Sequence, residues 1–397
     1  MIQDPCTELE GFFAHEDLDL RKTGFSRFMD QKVTPDVLSF ISDCILNLPN
    51  RESFTTDDIW RSTYFGNNVR IIFGKPSPYN QNAKSEYDKF IIQPLRVLYY
   101  SKVLCSVRKG SGYVYSIKNN EMLEYISIKE RNAYLFLYYY LSKVLSDSGL
   151  ITYFERYKGK CDDGTVSNED YDELRDRYIR FIRGHTKINQ DVEIRRIFPK
   201  ILNIYAYKNM INGSEKGRMS KYTFQWIGLM YNRENWRDVG KAKGKPRSEA
   251  RQAIPGTAIY RDYQIQKAKS IIAKLYPASE VKDKYELAES YHVHHIFPAS
   301  TSPALAAFLE NLIKLAPTQH LSMAHSGGKT QAVDPNYQLT CIVWKSKDIE
   351  ESLNRGEMYY TLPNFIYVLN TGLNLAIPTS ATFDDILGEV NTYYNKI

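Results

Sequence analysis

No two of the five cysteines, Cys6, Cys44, Cys105, Cys161 and Cys341, lie within four residues of each other. That spacing excludes a CxxC knuckle, and with it a zinc ribbon or a disulfide framework. Scattered cysteines suit a reducing compartment, so a cytoplasmic location is expected. Long apolar runs are missing too. The nearest, residues 134–144, contains Lys143 and is too short to span a bilayer, so no membrane partner is expected. The start, MIQDPCTELEGFF, has no basic segment followed by an apolar run and does not read as a secretory signal. There is no internal repeat and no low-complexity tract. Charge of one sign is in small excess only: a formal +6 permits nucleic-acid binding without requiring it. Histidine is scarce, with seven in 397 residues.

What is present is tyrosine, at 31 residues, within an ordinary globular balance of 43% hydrophobic and 25% charged residues. Tyrosine packs in a core while its hydroxyl reaches water or phosphate, so the excess fits packed helices or a polar ligand surface. The pattern predicts a mostly helical α+β chain in three parts, residues 1–125, 126–255 and 256–397. Thr34-Pro35-Asp36 is a helix start, and the apolar run Val37, Leu38, Phe40, Ile41, Cys44, Ile45 follows at helical spacing. Thr55 or Thr56 caps a short helix, and Gly66-Asn67-Asn68 is expected to turn. A helix over 86–102 follows, with Pro94 expected to kink or split it. Two strands joined by Lys109-Gly-Ser-Gly come next. Helix, helix, two-stranded ribbon is the order of a winged helix. In that arrangement Gln93 and Arg96 on the second helix are candidate base readers, and Arg108 and Lys109 form a basic wing tip. Any small α+β module shares the same order.

The middle part predicts helices over 128–147, 168–182 and 190–210, with a polar loop over 158–167 and no catalytic motif. Residues 214–255 are broken by Gly217, Gly228, Gly240 and Gly244. They also carry the basic run Lys241, Lys243, Lys245, Arg247 and Arg251, opposed only by Glu249. Such a run is a solvated linker by default, and phosphate contact is the alternative. Trp226 and Trp236 read as core residues. Asp30-Gln-Lys32 with Asp36 has the residue types of a D-x-K nuclease core. That core needs its acids on adjacent strands, whereas Asp36 opens a helix, so Asp30 reads as structural.

Five of the seven histidines fall within 34 residues: His292, His294, His295, His320 and His325. Core packing has no need of such clustering, whereas imidazole is both a common metal ligand and the usual general base near neutral pH. Tyr291-His-Val-His-His-Ile-Phe-Pro298 reads as a strand, with His292 and His294 on one face and His295 on the other. The adjacent pair His294-His295 can send one imidazole to a metal and the next toward a water. His292 is left open between a DNA contact and packing. Asn311 can bond backbone and fix the loop between two strands. His320 opens a helix and His325 stands just past its first turn. Lys329, after two glycines, is a candidate phosphate contact.

His294-His295, Asn311-Leu312, His320 and His325 together resemble the HNH (ββα-metal) nuclease motif, over about 35 residues. Its HHxxP start and N-L-x-x-L-x-P-x-x-H continuation are similar to HNH enzymes without a zinc knuckle, such as colicin-type DNases. More loosely, residues 23–36 and 230–238 resemble HNH-type Type II restriction endonucleases. The resemblance implies His294 and His320 as ligands of one Mg²⁺, Mn²⁺ or similar ion, His295 as general base and Asn311 as the central catalytic-site Asn. It implies cleavage of double-stranded DNA at or near a specific sequence, leaving 5′-phosphate and 3′-hydroxyl ends. A dimer on DNA and a cognate DNA methyltransferase encoded nearby are also expected. His325 departs from the pattern: five residues after His320 it stands about 140° out of phase on an ideal α-helix, which leaves it between ligand and phosphate contact. The alternatives are a homing or modification-dependent HNH nuclease and a non-catalytic winged-helix protein with a structural metal site. Structural sites normally use Cys₄ or Cys₂His₂ in close pairs, which are missing here, and this favours an enzyme.

Overall fold

Helices α1 (Pro5–Ala14) and α2 (Leu20–Thr23) lead into α3 (Pro35–Leu46), in which every residue from Pro35 to Ile45 is buried. The apolar spacing accounts for one side of α3. Ser39 and Ser42 let neighbours approach on the other, and the Ser39 hydroxyl donates to the Ser127 carbonyl at 3.0 Å. Each buried Val, Leu, Ile or Phe there is worth about 1.5–3 kcal/mol. The structure is a computed structural model. It describes residues 5–73, 75, 78–79, 84–110, 112–231, 258–325 and 333–396, which fall into two compact units, one within residues 9–255 and one within residues 1–8 and 256–397. Among the described residues no helix is long and apolar enough to cross a membrane.

In the first unit α4 (Thr56–Arg61) starts at a Thr55–Asp58 capping box, and α5 (Thr63–Phe73), α6 (Lys84–Tyr100) and the hairpin β1 (Leu104–Lys109)–β2 (Gly112–Ile117) follow. Phe54 adds a one-residue bridge to β2: its N–H donates to the Tyr115 carbonyl at 2.9 Å and Tyr115 returns the bond at 2.7 Å. Then come α7 (Asn120–Ile128), α8 (Glu130–Asp147), α9 (Ile151–Asp162), α10 (Asn168–His185), α11 (Asp191–Asn209) and the hairpin β3 (Asn212–Glu215)–β4 (Arg218–Thr223).

Several expectations are corrected here. The junction near residue 125 does not separate compact units, because α3 packs on α7 and α8 as well as on α6. Gly66-Asn67-Asn68 is not a turn but part of α5. Gly66 serves a close approach, since a Cβ there would meet the Tyr79 hydroxyl at 2.7 Å. Helix α6 runs through Pro94 as one helix, with Phe90, Ile91, Leu95 and Leu98 buried on both sides of it. The expected loop over 158–167 begins only after Asp162, because Phe154 and Tyr157 bury at helical spacing and extend α9. Hairpin β3–β4 was not foreseen. Its turn is Lys216-Gly217, both at positive φ (53° and 81°), the backbone that suits a two-residue hairpin.

In the second unit α12 (Ala258–Leu275) packs on both strands of the antiparallel pair β5 (His292–His295)–β6 (Leu312–Leu315). Helices α13 (Pro335–Asn354), α14 (Leu362–Leu373) and α15 (Phe383–Tyr394) complete it. Lys314 of β6 caps the C-terminal end of α12 by donating to the carbonyls of Ala273 and Tyr276. Glu280 ties three segments together. Its carboxylate accepts from the Lys314 N–H at 2.6 Å and pairs with the Lys345 amine of α13 at 2.7 Å, with both side chains fully buried.

Candidate metal centre

The β5–β6 register sets His294 opposite Ile313 and His292 opposite Leu315, and pleating turns both histidines to one face. After β6 the chain enters a π-helical segment, Gln319–Ala324, that carries His320 and ends at His325. A π turn closes between residues i and i+5, so the five-residue spacing that is out of phase on an α-helix brings His320 and His325 to one side. Gln319 pins the start of this turn. Its Oε1 accepts from Ser279 Oγ at 2.6 Å and from the Ala316 N–H at 2.9 Å, while its Nε2 donates to the Val281 carbonyl at 3.0 Å and to Asp283 at 2.8 Å.

His294, His320 and His325 thereby converge. Their ring centroids are 4.9, 5.0 and 5.1 Å apart, and one ligand nitrogen of each lies within 4.8 Å of the others. This is a slightly open form of the spacing of about 3.4 Å that tetrahedral binding with Zn–N near 2.1 Å demands. His294 and His325 are buried, and Nε2 of His294 has no hydrogen-bond partner among the described residues. An orphaned buried nitrogen is costly unless something else binds it. Burial first, then the neighbouring His320 and His325, pushes His294 down to about 2. Burial and His325 push His320 down to about 4. Both imidazoles are therefore neutral over the ordinary pH range, the form that binds metal. The residues fit a metal ion. His325, left open by the sequence, belongs with His294 and His320.

His295 leaves β5 on the opposite face. Its Nε2 lies 3.1 Å from the Ala306 carbonyl, and a carbonyl only accepts, so Nε2 carries the hydrogen and Nδ1 keeps its lone pair. Burial and then the charge of Lys269 hold its pKa below the ordinary value, against the Ala306 bond, which raises it. The side chain is thus a half-buried, neutral proton acceptor. Asn311 is corrected from a catalytic to a positioning residue. It is fully buried; its Oδ1 accepts from the Phe297 N–H at 2.9 Å, and its Nδ2 donates to the carbonyls of Phe297 at 3.0 Å and Leu305 at 3.2 Å. With both ends on backbone, it holds the 296–311 loop that presents Ala306 to His295.

Sequence reasoning missed Lys269. It lies between buried Ala268 and buried Ile272 in α12, the helix that packs on β5 and β6. It is half-buried, makes no ion pair among the described residues, and its charge reaches His294, His295 and His320. Nothing in the sequence marks it: Lys269 is one of several lysines in its helix and stands 25 positions before His294.

The first unit divides the expected DNA contacts. Gln93 is buried and its Oε1 accepts from the Lys32 N–H at 2.7 Å, so it faces inward and is corrected to a structural residue. Arg96 is half-buried, with Asp30 and Tyr115 within reach of its charge. Arg108 and Lys109 are exposed at the hairpin tip, beside exposed Val107 and Tyr113. Lys89, not singled out from the sequence, is exposed on α6. Asp30 pairs with Arg27 at 3.1 Å and Asp36 accepts the Tyr231 N–H at 2.9 Å, so these acids serve packing. Trp226 packs against Tyr134 and Tyr207 with the Arg131 guanidinium 3.8 Å from its ring. Lys241, Lys243, Lys245, Arg247, Arg251, Trp236 and Lys329 lie outside the described residues.

Compared with known protein families, with curated proteins and with solved structures, the chain matches none.

Proposed function

We propose that this chain is a metal-dependent endonuclease of the HNH (ββα-metal) type that hydrolyses double-stranded DNA, acting as a Type II restriction endonuclease. The observation that carries this reading is the three-imidazole cluster with its orphaned His294 Nε2, set on the far face of the strand from His295. Three nitrogens without a carboxylate are a poor set for Mg²⁺, which takes oxygen ligands. They suit Zn²⁺, Co²⁺, Ni²⁺ or Mn²⁺ better, so a transition ion replaces Mg²⁺ as the preferred occupant.

His294, His320 and His325 would hold the ion. When bound, the ion supplies positive charge to a scissile phosphate oxygen and to the departing 3′-oxygen. His295 takes a proton from water at Nδ1. The water oxygen forms the new bond to phosphorus as the bond to the 3′-oxygen breaks, and the departing 3′-oxygen takes a proton from solvent, giving 5′-phosphate and 3′-hydroxyl ends. Lys269 adds a further cation for the phosphate.

The order of α3, the Phe54 bridge, α4 and α5, α6 and hairpin β1–β2 supports a winged-helix reader in the first unit. Lys89 and Arg96 are then on its recognition helix and Arg108 and Lys109 at its wing tip. One such site cuts one strand, so a double-strand break takes two sites or two sequential events, and a dimer on DNA would supply the two sites. Finding a DNA methyltransferase gene beside this one would favour restriction over homing.

The test uses supercoiled plasmid with Zn²⁺, Co²⁺, Ni²⁺, Mn²⁺ or Mg²⁺. Wild-type protein yields nicked or linear DNA with at least one of these ions, and His295→Ala loses about 10²–10⁴ in rate while still binding DNA. Wild-type protein that cuts with none of the ions, or a His295→Ala variant that cuts at the full rate, sinks the reading.

A further inference from the structure

His292 has no part in the three-imidazole cluster, yet it touches one member of it. Its Nδ1 lies 3.0 Å from Nδ1 of His320, with the ring centroids 5.1 Å apart and the rings nearly perpendicular, at 84°. The contact follows from the strand. His292 and His294 share one face of β5, so the side chain two residues before a buried ligand is carried toward the π turn that supplies the next one.

An Nδ1···Nδ1 bond between two imidazoles has one donor and one acceptor, so it can form in only two ways. If His292 donates, Nδ1 of His320 is the acceptor and the His320 hydrogen sits on Nε2, where it blocks metal binding. If His320 donates, its hydrogen sits on Nδ1 and Nε2 carries the lone pair an ion needs. Because Nδ1 of His320 is engaged with His292, Nε2 is the His320 atom left for the cluster. The acceptor role of His292 thus selects the metal-binding tautomer and fixes the ring plane of His320. Histidine ligands to metals almost always give their second nitrogen's hydrogen to such a partner, and losing it typically costs 10–100-fold in affinity or activity.

We infer that His292 is a positioning residue of the metal centre: it accepts the Nδ1 hydrogen of His320 and so raises the affinity of the three-imidazole site for a divalent transition ion. This rests on the cluster being a metal site, though not on its cutting DNA.

The probe is Co²⁺ alone, titrated into the metal-free full-length chain and followed by calorimetry and visible absorption. Two variants of nearly equal size separate the bond from packing. His292→Asn places an amide oxygen close to the position of the lost Nδ1 and can accept the same hydrogen. His292→Leu cannot. The expected result is about 10–100-fold weaker Co²⁺ binding for His292→Leu, much of it recovered in His292→Asn. At saturation both should show the wild-type absorption bands, because the ligands themselves are unchanged. Thermal melts of the metal-free variants monitor folding. If Leu lowers stability, the Asn–Leu difference still isolates the acceptor, because both remove the ring. Equal Co²⁺ affinity in the two variants overturns the inference. So does a changed band intensity at saturation, which makes His292 a ligand. Wild-type protein that binds no Co²⁺ removes the metal-site reading itself, and the inference with it. Wild-type protein that binds Co²⁺ but cuts no DNA removes only the nuclease reading.

Discussion

The two compact units invest their polar side chains differently. In residues 258–396 the informative ones are fixed in the interior: His294, His320 and His325 converge, Asn311 and Gln319 hold backbone on both sides of them, and the fully buried Glu280–Lys345 pair fastens the loop on which Gln319 closes. In residues 9–231 the buried polar groups serve packing, as with Gln93 on Lys32 or Asp36 on Tyr231, and the side chains free to meet a partner are exposed at the hairpin tip and along α6. A preorganised centre and an adaptable surface respond differently to substitution. Changes in the first should be large and specific to metal or chemistry; changes in the second should be small and graded.

The sharpest test of that contrast lies on the two faces of β5. His295→Ala should lower the cleavage rate by about 10²–10⁴ without changing Co²⁺ affinity, because its Nε2 is committed to Ala306 and not to the cluster. His294→Ala should abolish tight Co²⁺ binding, and raised metal should restore part of the rate. If His295→Ala also loses Co²⁺, the two faces are not separate and the assignment of base and ligand fails.

Acid should find the second unit first. A His294 held down to about 2 and a His320 held down to about 4 bind no proton near pH 5, whereas in the unfolded chain both titrate near the ordinary 6.5. The unfolded state therefore takes up protons that the metal-free folded state refuses. The stability these two neutral groups allow is complete above about pH 6.5 and is lost as pH falls, toward about 4 for His320 and on toward about 2 for His294. A melt of the metal-free protein from pH 7.5 to 4.5 should show this loss, and His294→Ala should flatten it. A slope unchanged in that variant places the cause elsewhere.

How much of this was legible depended on the chemistry each role needs. The metal cluster was legible because few residue types bind metals, and strand alternation separates His294 from His295. The place of His325 was not, since nothing in Gln319–Ala324 announces a π turn, and an α-helical phase points it away. Ala306 and Phe54 act through backbone atoms, which no side-chain pattern reports. Gln93 was misread because polar residues on a helix are assumed to face out, whereas its oxygen accepts the Lys32 N–H inside. Tertiary contact between α3, α7 and α8 likewise overrode a domain boundary drawn from element order alone.

Of the internal supports, Asn311 should matter more than Gln93. Asn311→Ala removes three bonds to backbone in a site without solvent and should cost about 1–3 kcal/mol or more, measured by denaturant unfolding. Its cleavage rate should fall because the loop carrying Ala306 relaxes, and the Co²⁺ affinity should change less. Full stability in that variant would mean the loop is held by other contacts.

The smallest effects belong to the surface of the first unit, and they decide whether it reads DNA at all. Arg108 and Lys109 stand exposed across the strand pair from Tyr113 and Gly112, so their charges are not consumed by packing. If the hairpin lies along the phosphate backbone, each contact contributes roughly 0.9 to the slope of log affinity against log salt. Arg108→Ala with Lys109→Ala should then reduce that slope by up to roughly 1.8 and weaken binding to every duplex alike, because phosphate contacts carry no base identity. Lys89→Ala and Arg96→Ala, on α6, should instead weaken binding to the preferred sequence more than to others, since base edges are distinguishable in the major groove. Gln93→Ala should cost about 1 kcal/mol of stability and leave DNA affinity unchanged, its oxygen being spent on Lys32. Fluorescence anisotropy at several salt concentrations, on two unrelated duplexes, measures all three. A slope that stays put in the Arg108/Lys109 double variant takes the hairpin off the DNA, and the reading surface must then be sought on another face of the first unit.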